Sequence, residues 1–135
     1  MDEKLSIRVL LADDEAHVRL FVKSVMASLG CEIVGQAADG RQAVELFDQT
    51  SPDLVLLDIN MPVMDGLAAL KALRARSETV AIVMLTSLAS ADVVEQSFDS
   101  GATYHLRKDL PLAELKDEIR EMWRAHVESL NGTGQ

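Results

Sequence analysis

Five short apolar runs punctuate this chain, and a segment of helical period follows each one. The runs lie at 7–11, 32–37, 53–57, 80–85 and 104–107. IRVLL, LVLL and IVML are apolar without alternation, the signature of strands covered on both faces. Helices are predicted at 15–29, 40–49, 67–76, 91–100 and 112–130. The first places Val18, Phe21, Val22, Val25, Met26 and Leu29 on one side, with Gly30 just past its end. Five strand–helix units in strict alternation constrain the chain to an α/β fold, a five-stranded parallel sheet wound on both faces. At 135 residues there is enough chain for one core. No repeat or linker interrupts the pattern, so residues 1–130 read as one domain and 131–135 (NGTGQ) as a flexible tail.

Sheets of this kind bind ligands outside the carboxyl ends of their strands, where the strand order reverses. The first run delivers Asp13 and Asp14 to that edge, and the third delivers Asp58. The fourth brings Thr86 and Ser87, the fifth Lys108, and the second only Ala37, Ala38 and Asp39. Two carboxylates about 4 Å apart repel by roughly 4 kcal/mol at an effective dielectric of about 20. Three of them therefore share a proton or a cation. Oxygen donors and a small ligand set suit Mg²⁺, with Mn²⁺ as a substitute. Lys108 and the Thr86 hydroxyl add positive charge and a donor for an anion, which together make a phosphoryl-transfer site. Asp58, alone at the end of the third strand, is the candidate acceptor that would form an acyl phosphate. Asp13 and Asp14 serve better as metal ligands. In the following loop Pro62 stiffens the turn, and Gly66 can take a positive φ that other residues resist.

Other functions are excluded by what the chain lacks. A formal charge of −9 opposes non-specific binding of nucleic acid. The single cysteine, Cys31, forms no internal disulfide and belongs to no zinc-like cluster. No basic flank with an apolar stretch opens the chain, and no run approaches the roughly 20 residues that span a bilayer, so a cytoplasmic location is expected. GQAADGRQ mimics the glycine spacing of a P-loop but has Arg41-Gln42 in place of Lys-Ser/Thr. A flavin-binding loop would place a phosphate where ADDEA repels it.

ADDEAHVR, LVLLDINMPVMDGL, IVMLTS and GATYHLRK resemble the receiver, or phosphoacceptor, domain of two-component response regulators, from about Ile7 to about Val127. The resemblance implies a flavodoxin-like (βα)5 fold. It also implies a switch rather than a turnover enzyme, one that catalyses its own phosphorylation and slowly loses the phosphate. By this resemblance Asp58 takes a phosphoryl group from the phosphohistidine of a histidine kinase or a histidine phosphotransfer protein. Mg²⁺ is held by Asp14, Asp58 and the main-chain carbonyl of Asn60, and by Asp13 through water. Thr86 and the Ser87 amide bind the phosphoryl oxygens, and Lys108 pairs with another. Leu88 and Asn60 flank the group and tune its loss. Thr86 then moves toward the phosphoryl group, and the ring three residues before the lysine turns into the vacated space. Here that ring is His105, with Tyr104 one place earlier. The face built by the fourth helix, fifth strand and fifth helix would change and control a downstream effector protein.

Two departures accompany the resemblance. Lys108 is followed by Asp109 rather than proline, so that peptide is expected to be trans. The Lys-Asp pair is similar to receivers joined to helix-turn-helix outputs, which keeps a DNA-binding regulator's fragment as an alternative to the free-standing receiver expected here. An imidazole that enters the interior must be neutral, so activation through His105 should weaken below about pH 6. On the last helix Leu112, Leu115, Ile119, Met122 and Trp123 form one stripe expected in the core. Trp123, His126 and Leu130 are expected to project beyond it as a docking or homodimer contact. The enzyme rival, a Mg²⁺-dependent phosphatase with an aspartate nucleophile, requires a second acid where this chain has Asn60.

Overall fold

A computed structural model describes residues 4–87 and 91–132. Its strands are β1 (Arg8–Ala12), β2 (Glu32–Ala37), β3 (Leu54–Asp58), β4 (Ala81–Thr86) and β5 (Tyr104–Arg107). They form one sheet in the order β2-β1-β3-β4-β5 with every pairing parallel. The helices are α1 (Ala16–Ser28), α2 (Gly40–Thr50), α3 (Gly66–Arg76), α4 (Ala91–Asp99) and α5 (Leu112–Gly132). Strand order reverses between β1 and β3, which makes the carboxyl ends of those two strands the crevice of the fold.

Side chains alternate across the sheet and fill two separate cores. Leu11, Leu56, Val83 and Leu106 point to one face, under Val25 and Met26 of α1 and Leu115, Ile119 and Met122 of α5. Leu10, Val55, Leu57 and Ile82 point to the other, under Phe47 of α2 and Leu70 and Leu73 of α3. β3 and β4 are buried along their whole length, which explains their unbroken apolar sequences. Each fully buried leucine contributes about 1.5–3 kcal/mol.

Helix starts follow local chemistry. Asp39 accepts from the Gln42 amide at 2.8 Å, and the Gln42 side chain accepts from the Ala38 amide at 2.9 Å, a reciprocal cap on α2. Asp65 caps α3 by accepting from the Ala68 amide at 2.9 Å. Arg74, near the end of α3, donates to the carbonyls of Val80 (2.6 Å) and Gly101 (2.7 Å) and to the Thr103 hydroxyl (3.1 Å), which ties α3 to the turn between α4 and β5.

Several expectations are corrected. Gly66 does not have a positive φ; Val63, at φ 68°, does. The Met64 amide donates to the Pro62 carbonyl at 2.7 Å, closing a tight turn centred on Val63. Gly66 is needed for a different reason. A Cβ there would lie 2.1 Å from the Asp58 carbonyl oxygen, so only glycine lets α3 start against the end of β3. Leu112 is 49% exposed because α5 begins at the rim, before it reaches the sheet. Trp123 and His126 are half-buried rather than projecting, with ring centroids 5.4 Å apart beneath the amino-terminal edge of the sheet. Leu130 is exposed. α5 includes Asn131 and Gly132, two residues of the expected tail. Residues 133–135 and Leu88 lie outside the described residues. No cis peptide occurs among the described residues, so Lys108–Asp109 is trans as expected.

Candidate functional site

The sheet itself carries the site residues to one point. β1 continues its pairing one residue further, the Asp13 amide donating to the Ala37 carbonyl at 3.0 Å. β3 ends on Asp58, whose carboxylate is buried with 5% of the residue exposed. One carboxylate oxygen from each of Asp13, Asp14 and Asp58 falls within a sphere of mutual distances no greater than 4.8 Å. Asp13 is fully buried and Asp14 is exposed, so the cluster opens to solvent on the Asp14 side.

Lys108 enters from the far side. Its amide donates to the Thr86 carbonyl at 2.8 Å, extending the β4–β5 pairing beyond the last strand residue and fixing where the side chain starts. The ammonium lies 2.6 Å from Asp13 Oδ2 and 3.1 Å from Asp58 Oδ1, with 13% of the side chain exposed. Asp13 Oδ1 accepts from the Glu15 amide at 2.9 Å. The Asp13 carbonyl accepts from Arg19 Nη1 at 2.6 Å. All the polar atoms of Asp13 are thus engaged.

The electrostatics are those of a partly neutralised acid pocket. Burial pushes the Asp58 carboxyl up to about 6; the neighbouring Lys108 ammonium opposes this, while the Asp13 and Asp14 charges add to it. Burial pulls the Lys108 ammonium down, but its bonds to Asp13 and Asp58 outweigh that loss and leave its pKa above the ordinary value. Lys108 meets Asp13 and Asp58 and leaves Asp14 to solvent. The cluster is therefore short of positive charge on its open side. An all-oxygen set of three carboxylates fits a hard divalent cation there.

Thr86 closes β4 and is 7% exposed, and Ser87 follows it at the surface. Asn60 lies exposed two residues after Asp58. All the sequence-predicted residues at the carboxyl edge therefore sit on the elements that converge there. His105 does not point to solvent as an edge residue would. It is half-buried, its Nε2 meets Ser97 Oγ on α4, and its ring tilts on Phe98 with centroids 5.2 Å apart. The Ser97 hydroxyl also lies 2.8 Å from the Val94 carbonyl, so it can donate there while accepting from His105. On the other side of the ring Nδ1 is buried and has no hydrogen-bond partner among the described residues. Burial lowers the pKa of this imidazole.

Two residues of this region were not singled out by sequence. Arg19 follows Asp13 by six positions and could have been found as a cation at i+4 from Glu15, facing back along α1 toward the acids. Ser97 carried no signal, being a small polar residue within a short helix. Cys31 is buried, and its thiol is pushed up to about 11 by burial, so it offers no nucleophile. Among the described residues no helix is long and apolar enough to cross a membrane.

Comparison with known proteins agrees with this geometry. The sequence pattern of the family described as "Response regulator receiver domain" matches residues 9–120. "Transcriptional regulatory protein PdtaR" of Mycobacterium tuberculosis is 40% identical over 114 residues, which cover 84% of this chain and 55% of that protein. The chain thus spans about half the length of that relative. "Chemotaxis protein CheY" of Bacillus subtilis is 38% identical over 95 residues, covering 70% of this chain and 79% of that one. The response regulator domain of Thermotoga maritima CheB superposes with a TM-score of 0.80 at 28% identity, covering 90% of this chain and 96% of the other.

Proposed function

Because this chain belongs to the response regulator receiver family of two-component systems, we propose that it works as a phosphorylation-driven switch with Asp58 as the acceptor. The observation that carries this reading is the placement of Lys108 between Asp13 and Asp58, beside a third carboxylate, at the reversal point of the sheet. An Asp58 oxygen attacks the phosphorus of a phosphohistidine on a histidine kinase or histidine phosphotransfer protein. The P–N bond breaks, the imidazole leaves with its electron pair, and an acyl phosphate forms on Asp58.

The residues present fit a Mg²⁺ ion, which Asp14, Asp58 and the Asn60 carbonyl would hold directly and Asp13 through water. When bound it supplies the positive charge that lets an anionic donor approach an anionic acceptor. Lys108 already touches Asp58 and is in place to meet a phosphoryl oxygen there. Thr86 supplies a hydroxyl and Ser87 an amide for the remaining oxygens. Asn60 cannot act as a general acid, which separates this site from phosphatases with an aspartate nucleophile.

His105 serves as the switch ring. Thr86 moves toward the phosphoryl group, the imidazole leaves Ser97 for the space vacated, and α4 is released. The effector reads the face of α4, β5 and α5, where Phe98 is 47% exposed beside His105. Phosphorylation selects the second of two arrangements of this face.

The reading is tested by incubating the protein with Mg²⁺ and acetyl phosphate and measuring its mass. One phosphoryl group should be gained, and neither Asp58→Asn nor metal-free protein should gain it. An unchanged wild-type mass, or full labelling of Asp58→Asn, would overturn it.

A further inference from the structure

Arg19 has no carboxylate partner among the described residues, and its guanidinium spends itself on a neutral group, the main-chain carbonyl of Asp13, at 2.6 Å. That oxygen belongs to the peptide joining Asp13 to Asp14. A peptide unit is planar, so holding its oxygen fixes the plane and with it the N–Cα bond from which Asp14 departs. The other attachments of Asp13 lie on the preceding side of that bond or on the side chain. They are the amide to Ala37, Oδ1 to Glu15 and Oδ2 to Lys108. None of them sets the Asp13–Asp14 plane.

Asp14 needs such help. It is exposed, and no hydrogen bond or ion pair holds its carboxylate among the described residues, yet its oxygen lies within 4.8 Å of those of Asp13 and Asp58. Nothing in its own side chain keeps it there against the repulsion of two buried acids. The restraint comes through the backbone: the Asp13 Oδ1 bond to the Glu15 amide holds the peptide after Asp14, and the Arg19 contact holds the peptide before it.

We propose that Arg19 is a positioning residue for the cation site: by holding the Asp13–Asp14 peptide plane it keeps the Asp14 carboxylate aimed at the ion. The inference rests on the reading of the site as a Mg²⁺ centre and adds to it a residue outside the ligand set. It also has a definite sign. Arg19 carries a positive charge, so by charge alone its removal would tighten binding of a divalent cation. Acting by position, its removal must weaken that binding. Outer partners that orient metal ligands typically contribute 10- to 100-fold in affinity.

The test is calorimetric titration of Mg²⁺ into metal-free wild type, Arg19→Met and Arg19→Lys, together with urea denaturation and amide exchange of Asp14 and Glu15 without metal. Arg19→Met should bind Mg²⁺ about tenfold more weakly. Its Asp14 and Glu15 amides should exchange faster than those of wild type, while its denaturation midpoint stays close to the wild-type value. Arg19→Lys keeps the charge and one donor, and should fall between the two. Should Arg19→Met fail to fold, Arg19→Lys carries the comparison alone, with weakened binding still required. Unchanged or tighter Mg²⁺ binding in a folded variant overturns the inference and leaves the site reading intact. Absence of Mg²⁺ binding by wild type overturns both.

Discussion

Asp58 is held in an unfavourable place. Its carboxyl, at about 6 in the metal-free protein, is raised from 3.8 chiefly by burial. A raised folded-state value means that stability is full below about pH 4 and is lost as pH rises through about 6. The shift corresponds to a penalty of about 3 kcal/mol at neutral pH. Asp58→Asn removes the buried charge but also the ion pair with Lys108, so the expected gain is smaller, about 1–2 kcal/mol at pH 7.5 without metal. Urea denaturation of both proteins in chelator should show this gain, shrinking toward zero near pH 4, and Mg²⁺ should stabilise wild type alone. An Asp58→Asn protein no more stable than wild type at pH 7.5 would refute the account of strain at this position.

At the scale of the elements, the junction of β3 with α3 brings backbone against a glycine, and Gly66→Ala tests it. Helix propensity alone favours alanine by about 1 kcal/mol. The Asp58 carbonyl, 2.1 Å from the new Cβ, forces the opposite sign, with an expected loss of about 3 kcal/mol or more in urea denaturation. Sequence revealed this part of the fold well where apolar runs were continuous. LVLL and IVML could only be strands covered on both sides, and the polar residue after each run had to stand at the crevice. Sequence failed where a backbone contact made the decision. The positive φ falls on Val63, a branched residue that no turn preference would select, while Gly66 is reserved for a close approach. It failed again along α5. Its 21 residues span about 31 Å, while the four residues of β5 span about 13 Å, so periodicity could not say which turns face sheet and which run past it. His105 was singled out by its distance from Lys108, but its partner Ser97 comes from a different element and left no local trace.

For the molecule as a whole, the proposed function requires coupling of the acid pocket at one end of β4 and β5 to the face that flanks β5. His105 provides the coupling in the proposed switch, and its chemistry makes the coupling sensitive to acid. Protonation would put a charge on the ring, a cost that rises as it moves from its half-buried place beside Ser97 into the interior, and burial already lowers the pKa. A depressed folded-state value means that this contribution to stability is present above about pH 6.5 and is lost as pH falls below it. Titrating beryllofluoride-treated protein from about pH 8 to about pH 5.5 while following the Phe98 ring resonances should show the activated population falling. His105→Phe should remain flat over that range, and a flat wild-type profile would remove His105 from the switch. The tie from Arg74 to the Gly101 carbonyl, with the Ala102 amide bonded back to Ser97 at 2.9 Å, has its own consequence for how such a rearrangement is shaped. It ties the trailing end of α4 to α3, so in the proposed switch the helix would swing as a lever about Asp99, with its greatest travel at Ala91.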